Sequence, residues 1–340
     1  MSSVETDVYR DVPDDPEACG RELLVLEAIH AKISPRSEVL RILPHRQRRM
    51  VGAWCFVDIF GPREIGGGDA MHVAPHPHTG LQTVSWLVSG TVRHRDSLGS
   101  TADVVPGRVA VMTAGAGIAH SEDVVAPSVA WSGVMGAALD ESPSAPTVLH
   151  GAQLWVALPE ADRHRPRSFT LHEPAPVVDI GRVRAQVFSG ELARTLGPEQ
   201  AVTPLVGAEL TPGESGSAAV PLPLEAAYEH LLVPLAGSAT VDGTTVSAGQ
   251  GLFLGTDRPE IAVELSSNAR VLLLGGAPFE EKIVMWWNFV ARTHDEIEQA
   301  RALWNAGGDL RFGEVDYPSG ERLDAPPMPN VRLKPRGRVR

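Results

Sequence analysis

Four residues that can bind a metal ion occur as two closely spaced pairs. His76 and His78 lie in HVAPHPHTG, and His120 and Glu122 lie in TAGAGIAHSEDV. Each pair has the spacing i, i+2, which places both side chains on one face of a β-strand. On neighbouring strands, three imidazoles and one carboxylate would converge. That set suits a borderline divalent transition metal with one or two positions open for a ligand.

An HxH motif alone leaves a solvated loop open as the alternative, because histidine pairs are common on protein surfaces. The second ligand pair favours the metal, and Gly115 and Gly117 allow the chain to turn sharply just before it. The nearby RHRDSLG segment contains His94 and Asp96. We expect a hairpin there, with Asp96 or Ser97 bonding the turn backbone.

The elements that must position these residues are predicted to be short strands. Runs rich in Val, Leu and Thr alternate with turn residues, since the chain contains 33 Gly and 28 Pro. This pattern predicts a sandwich or barrel. The segments SWLVSGTVRHRDSLGSTADVVPGRVAVM and LLVPLAGSATVDGTTVSAGQGLFLG repeat one order of strands and glycines, as a duplicated β-barrel would.

Local signals predict one hairpin and one helix. In TVDGTTVSAG, Asp242 and Gly243 supply a two-residue hairpin turn. The segment THDEIEQARALWNAG predicts a helix that Thr293 caps, with Glu296 three residues on as in a capping box and Gly307 at its end.

Bulk properties exclude several classes of protein. A length of 340 residues favours two domains, and the net charge of -12 argues against direct nucleic-acid binding. No apolar run is long enough for a membrane helix, and the polar N-terminus lacks signal-peptide features, so we expect a cytoplasmic protein. Cys19 and Cys55 form no disulfide or zinc pattern. The basic end, VRLKPRGRVR, is expected to be a solvated tail.

Longer motifs resemble a known family. APHPHTGLQTVSWLVSGTVRHRDSLGS and VMTAGAGIAHSE are similar to the signature of the pirins, a branch of the cupin superfamily. The likeness continues through QLWVALP to LLLGGAPFEEKIVMWWNFVARTHDEIEQA. The resemblance implies an all-β fold with two tandem cupin barrels of jelly-roll type and a C-terminal helix.

The same resemblance implies iron in the N-terminal barrel, held at positions that match His76, His78, His120 and Glu122. Fe²⁺ is the first expectation, with Mn, Ni, Cu and Zn as the other candidates. The expected organisation is an N-terminal extension (1–30), a metal-binding barrel (31–160), a linker (161–178), a barrel without metal ligands (179–290), and the helix with the basic tail (291–340).

One position departs from the family pattern. Pirins usually carry Glu where this chain has Gln82, four residues after the second histidine of the HxH motif. In other cupins a Glu at this spacing in the first motif is often a ligand, so the resemblance implies that residue 82 lies beside the metal. There Gln removes a carboxylate that could act as a ligand or a general base.

Two classes of function follow from the resemblance and stay open at this point. The first is an oxygenase of the quercetin 2,3-dioxygenase type, which inserts O₂ into a flavonol-like aromatic substrate. The second is a non-catalytic, iron-containing redox sensor that binds a protein partner, either a transcription factor or a metabolic enzyme. Neither function requires a membrane or direct contact with nucleic acid.

Overall fold

The computed structural model of the chain describes residues 22–34, 37–65, 72–125, 147–199, 201–213, 218–308 and 310–339. These residues form β-strands and a single helix. The strands of the first half are β1 (Leu23–Glu27), β2 (Ile29–Ser34), β3 (Ser37–Leu43), β4 (Trp54–Ile65), β5 (His72–His78), β6 (Leu81–Ser89), β7 (Val92–Asp96), β8 (Thr101–Val104), β9 (Arg108–Thr113), β10 (Ile118–Val124), β11 (Thr147–Ala157) and β12 (Ser168–Pro174).

The second half of the chain repeats this design and adds the helix. Its elements are β13 (Val177–Ile180), β14 (Val183–Ser189), β15 (Glu191–Leu192), β16 (Thr195–Leu196), β17 (Leu205–Pro212), β18 (Val220–Pro223), β19 (Glu229–Ala236), β20 (Ser238–Val241), β21 (Thr244–Ser247), β22 (Gln250–Leu254), β23 (Glu260–Leu265), β24 (Arg270–Gly276), β25 (Val284–Trp286), β26 (Phe289–Ala291) and α1 (His294–Ala306).

Each half forms a barrel from a large and a small antiparallel sheet. The N-terminal barrel has the strand orders β12-β9-β6-β11-β4-β3-β2 and β5-β10-β7-β8. The C-terminal barrel has the orders β1-β22-β19-β24-β17-β14-β13 and β18-β23-β20-β21. The two lists match strand for strand, so the duplicated all-β fold predicted from the repeated pattern is confirmed.

The two barrels exchange edge strands. β1 precedes the N-terminal barrel in the chain but pairs with β22 of the C-terminal barrel, from Leu23 opposite Leu254 to Glu27 opposite Gln250. β12 lies in the segment 161–178, expected to be a linker, and extends the N-terminal sheet by pairing with β9. The exact domain boundaries stay a prediction.

A shared core joins the barrels. Trp86, on the outer face of β6, is fully buried and stacks on Phe188 of the C-terminal barrel at 4.8 Å between ring centroids. Its Nε1 donates a hydrogen bond to Glu209 at 2.9 Å, and Trp54 Nε1 donates to the Gly275 carbonyl at 3.0 Å. One face of the large N-terminal sheet therefore packs against the C-terminal barrel. The opposite face lines the interior of the N-terminal barrel.

The predicted hairpin and helix are confirmed. Asp242 and Gly243 both have positive φ, 49° and 80°, as a type I′ turn requires. Thr293 Oγ1 accepts a hydrogen bond from Glu296 N at 3.2 Å, and Gly307 ends the helix. The Glu296 carboxylate accepts from Arg292 N at 2.8 Å instead of from the capping residue. No helix in the described part of the chain is long and apolar enough to span a membrane.

The basic tail is exposed over most of residues 331–336, as expected, but its end is docked on the protein, which a freely solvated tail would not be. The backbones of Arg336 and Ile283 exchange two hydrogen bonds, at 3.0 and 2.8 Å. Arg338 Nε donates at 2.8 Å to Glu229, a carboxylate that is fully buried. Arg49 N donates to the Arg338 carbonyl at 2.8 Å, so contacts at Arg338 tie the end of the chain to both barrels.

Candidate metal centre

The two predicted ligand pairs lie on neighbouring strands. β5 and β10 pair antiparallel, with His120 directly opposite His76 and Ile118 opposite His78. The alternation of strand side chains explains why β5 reads His-Pro-His: the histidines face the barrel interior and Pro77 faces outward. β5 is the edge strand of its sheet, where a proline without a backbone N–H is tolerated.

Three imidazoles converge inside the N-terminal barrel. One ring nitrogen each of His76, His78 and His120 lies within 4.8 Å of the others, and the side chains of all three residues are buried. The Nε2 atoms of His78 and His120 are 3.0 Å apart. Two nitrogens bound at about 2.1 Å to one ion at a right angle are separated by about 3.0 Å, so the spacing fits a shared metal.

Burial and hydrogen bonding prepare these rings as ligands. Burial lowers the pKa of His76 to about 4 and the pKa values of His78 and His120 well below the usual histidine range, so all three are neutral at pH 7. Nδ1 of His76 is 3.0 Å from the Ala74 carbonyl, and Nδ1 of His78 is 3.1 Å from the Asn288 carbonyl. A carbonyl only accepts, so both rings carry their proton on Nδ1 and present a lone pair at Nε2.

Glu122 faces the same interior but lies outside the three-histidine group. A β-bulge between His120 and Glu122 shifts the register, so that Glu122 pairs with Val73. The side chain is partly buried, and burial together with the adjacent Asp123 raises the pKa of Glu122 to about 7. Among the described residues the carboxylate has no hydrogen-bond or ion-pair partner, which leaves it free to bind a cation.

Comparisons with known proteins agree with this architecture. The family model described as Pirin matches residues 36–156, and the model described as Pirin C-terminal cupin domain matches residues 210–313. A Pseudomonas aeruginosa protein named "Putative quercetin 2,3-dioxygenase" is 40% identical over 316 residues, which cover 93% of this chain and 94% of that protein. The chain belongs to the pirin family.

Two further relatives extend the comparison. A pirin-like protein of Caulobacter vibrioides is 36% identical over 299 residues, covering 85% of this chain and 94% of its own. The crystal structure of quercetin 2,3-dioxygenase from Acinetobacter baumannii superposes with a TM-score of 0.81 at 39% identity, covering 92% of this chain and 97% of that one.

The C-terminal barrel of this pirin has an apolar interior at the corresponding place. Its strands β18 and β23 hold the positions of β5 and β10 in the small sheet. The inward residues there are Val220 and Leu222 on β18, paired with Val263 and Ile261 on β23, and all four are buried in one hydrophobic cluster. Aliphatic side chains replace the imidazoles, so this sheet offers a metal no ligands.

Gln82 does not lie beside the metal centre, and the sequence prediction for this residue is wrong. Gln82 shares a strand face with Trp86, which points into the C-terminal barrel. Its Nε2 donates to Thr113 Oγ1 at 3.0 Å, and its side chain also hydrogen-bonds Glu199 of the C-terminal half. The position at which this chain departs from the family pattern therefore lies at the contact between the barrels and away from the three candidate imidazole ligands.

A Gln82→Glu variant is expected to lose stability and to keep its metal. The new carboxylate faces Glu199, whose pKa burial already raises. Two buried carboxylates repel, so the folded-state pKa values rise and stability falls as the pH increases through the carboxyl range. At neutral pH we expect a loss of about 1–3 kcal/mol in urea unfolding, which disappears in acid.

The matched control for this variant is Gln250→Glu, because Gln250 hydrogen-bonds Glu27 on the exposed surface. There we expect a change within about 0.5 kcal/mol. If Gln82→Glu instead changed the metal content and left the stability unchanged, the placement of residue 82 away from the metal site would be contradicted.

Two other features stand apart from the centre. Ligand atoms of His294, Asp295 and Glu298 also lie within 4.8 Å of one another. However, His294 Nδ1 accepts from Leu333 N at 3.0 Å, so its Nε2 carries the proton, and Arg332 pairs with Asp295 at 2.7 Å. A cavity of about 210 Å³ is lined by Pro75 of β5, Trp304 and Tyr317 among others, and none of the three imidazoles lines it.

Proposed function

We propose that this pirin is an iron-dependent oxygenase of the quercetin 2,3-dioxygenase type. It would insert one O₂ into the ring of a flavonol-like substrate and release one molecule of carbon monoxide. The observation that carries the proposal is the convergence of three neutral imidazoles, at least two with fixed Nδ1–H protons, inside a closed barrel. The names of the Pseudomonas and Acinetobacter relatives support the choice of substrate class.

We propose Glu122 as the fourth ligand. It shares the inner face of β10 with His120, and its carboxylate has no partner among the described residues. One anionic ligand beside three neutral imidazoles would leave a divalent ion with a net charge of about +1, which attracts an ionised substrate oxygen. Bound iron would supply Lewis acidity and one-electron chemistry toward dioxygen.

The protein itself would supply an aromatic wall and exclude water. Trp155 lies edge-on to His78 at 5.2 Å between ring centroids, and Phe56 stacks on Trp155 at 3.9 Å. Both aromatic residues are buried. A planar flavonol fits such a wall by stacking, and the dry surroundings strengthen its attraction to a cation.

An anaerobic flavonol titration tests this proposal. The iron-loaded protein is expected to shift the flavonol absorption band, because a nearby cation lowers the pKa of the 3-hydroxyl group and favours the ionised form. The metal-free protein should leave the band unchanged. Admission of air should then consume one O₂ for each carbon monoxide released. If the iron-loaded and the metal-free protein bound the flavonol equally and no O₂ were consumed, the oxygenase proposal would be contradicted.

One observation favours the alternative, a redox-sensing regulatory protein. The carbonyl that fixes His78 belongs to Asn288, in the turn between β25 and β26, where Trp287 has a positive φ of 52°. A change in iron charge would alter this hydrogen bond and so reach a turn in which Trp287 and Asn288 are half-buried. The sensor predicts that amide hydrogen exchange at 284–291 differs between ferrous and ferric protein, without any flavonol turnover.

A further inference from the structure

A fourth histidine lies directly behind the candidate ligands. His94 on β7 is opposite Glu122, and Asp96 is opposite His120, so both face the barrel interior. His94 Nδ1 is 3.4 Å from His120 Nδ1, and His94 Nε2 is 3.0 Å from Asp96 Oδ2. The three side chains form a continuous chain from the hairpin turn to the metal centre.

This chain is buried and held from both ends. Asp96 Oδ1 accepts from Leu98 N at 2.8 Å and from Ser100 N at 3.1 Å, which confirms the predicted role of Asp96 in the turn. The His94 ring stacks on Phe169 at 3.9 Å with an interplanar angle of 5°. These contacts orient the Asp96 carboxylate toward His94 and hold the His94 ring between Asp96 and Phe169.

Proton positions follow from the donor and acceptor roles. The Asp96 carboxylate accepts from the two turn amides through Oδ1 and lies 3.0 Å from His94 Nε2 through Oδ2. An ionised carboxylate only accepts, which places a proton on His94 Nε2. In the neutral ring, His94 Nδ1 is then an acceptor. His120 must donate from Nδ1, and its lone pair is left on Nε2, the atom 3.0 Å from His78.

We propose that His94 is a positioning residue, oriented by Asp96, that holds His120 in the tautomer required for metal binding. His76 and His78 obtain the same orientation from backbone carbonyls, which substitution cannot remove. His120 depends on a side chain instead. The inference rests on the proposed metal site and does not depend on oxygenase chemistry.

Three variants separate orientation from packing. His94→Phe keeps an aromatic ring against Phe169 and removes the acceptor. Asp96→Asn keeps an oxygen for the turn amides but turns an N–H donor toward His94, which reverses the donor order along the chain. His94→Gln keeps one acceptor and one donor at comparable positions, and serves as the conservative control.

The experiment measures Zn²⁺ affinity by chelator competition, after circular dichroism has established that each variant is folded. We expect His94→Phe and Asp96→Asn to bind Zn²⁺ about 10–100-fold more weakly than the wild type, and His94→Gln to remain within about threefold. In the zinc-loaded wild type, the His120 Nδ1–H proton should exchange slowly with water in NMR spectra. In His94→Phe it should exchange fast.

Wild-type affinity and a slowly exchanging His120 proton in folded His94→Phe and Asp96→Asn would overturn the inference. Absence of Zn²⁺ binding by the wild type would overturn it together with the metal site. If the variants show the expected Zn²⁺ affinities but the protein consumes no O₂ with a flavonol, the role of His94 is supported. Only the oxygenase proposal is then contradicted.

Discussion

Replacing His120 by alanine is expected to remove nearly all bound divalent metal. The substitution deletes one of three converging imidazoles and opens a buried site to water. Loss of an outer-shell partner alone weakens metal binding about 10–100-fold, so loss of a ligand should cost at least about 100-fold in affinity. Elemental analysis of freshly purified protein, followed by Fe²⁺ or Zn²⁺ titration, measures the loss.

His230→Ala is the matched control, because His230 is the buried histidine of the C-terminal barrel interior. It is fully inaccessible to solvent, and burial lowers its pKa to about 4. This variant should keep wild-type metal content. Metal should also raise the melting temperature of wild type and His230→Ala but not of His120→Ala, since only a folded site binds. Full occupancy in His120→Ala would refute the ligand assignment.

The second large effect is expected at the buried ion pair between the barrels. Glu229 is fully buried and accepts from Arg48, from Arg338 at 2.8 Å and from Gly52 N at 3.0 Å. Arg48 is 1% exposed and its guanidinium also stacks over Phe253 at 4.1 Å. Arg48→Met removes one charge of this group and leaves a buried carboxylate undercompensated. We expect a loss of about 3–5 kcal/mol in urea unfolding.

Lys32→Met supplies the contrast. Lys32 and Glu38 form an ion pair with side chains 68% and 60% exposed. Solvent screens such a pair, so its loss should cost less than about 1 kcal/mol. Equal losses for the two variants would mean that burial of the Arg48–Glu229 ion pair adds nothing to its contribution to stability.

Local signals in the sequence were enough for several parts of the molecule. The turn at Asp242 and Gly243 and the helix between Thr293 and Gly307 depend on neighbouring residues only, and both are confirmed. The face shared by His76 and His78 follows from strand alternation, which is equally local. The exchange of β1 and β12 depends on pairing between distant segments, which propensities do not encode.

Residue 82 illustrates the limit of counting along a chain. Gln82 follows His78 by four positions, which on one continuous strand would place both side chains on the same face. The strand is interrupted between them, because Thr79 and Gly80 form a turn in which Gly80 has a φ of 68°. From Leu81 onward the side chains alternate again, but each faces the side opposite to the one it would face on a continuous strand. Gln82 thus points toward the C-terminal barrel.

The contact between His94 and His120 was missed for a related reason. The motif RHRDSLG is fully explained as a hairpin, so it gives no local signal of a second role. Only the register of β7 against β10, with Asp96 opposite His120, brings the rings together. One pattern could have revealed this contact. It is a histidine two residues before a turn aspartate, on a strand next to one that carries candidate metal ligands.

The most direct test of the metal centre is anomalous diffraction from crystals of the metal-loaded protein, recorded at the absorption edge of the bound metal. We expect one strong peak inside the N-terminal barrel, about 2.0–2.2 Å from Nε2 of His76, His78 and His120. The C-terminal barrel, with Val220 and Ile261 at the corresponding strands, should give none. A peak elsewhere, or fully loaded protein without a peak among these three imidazoles, would contradict the account.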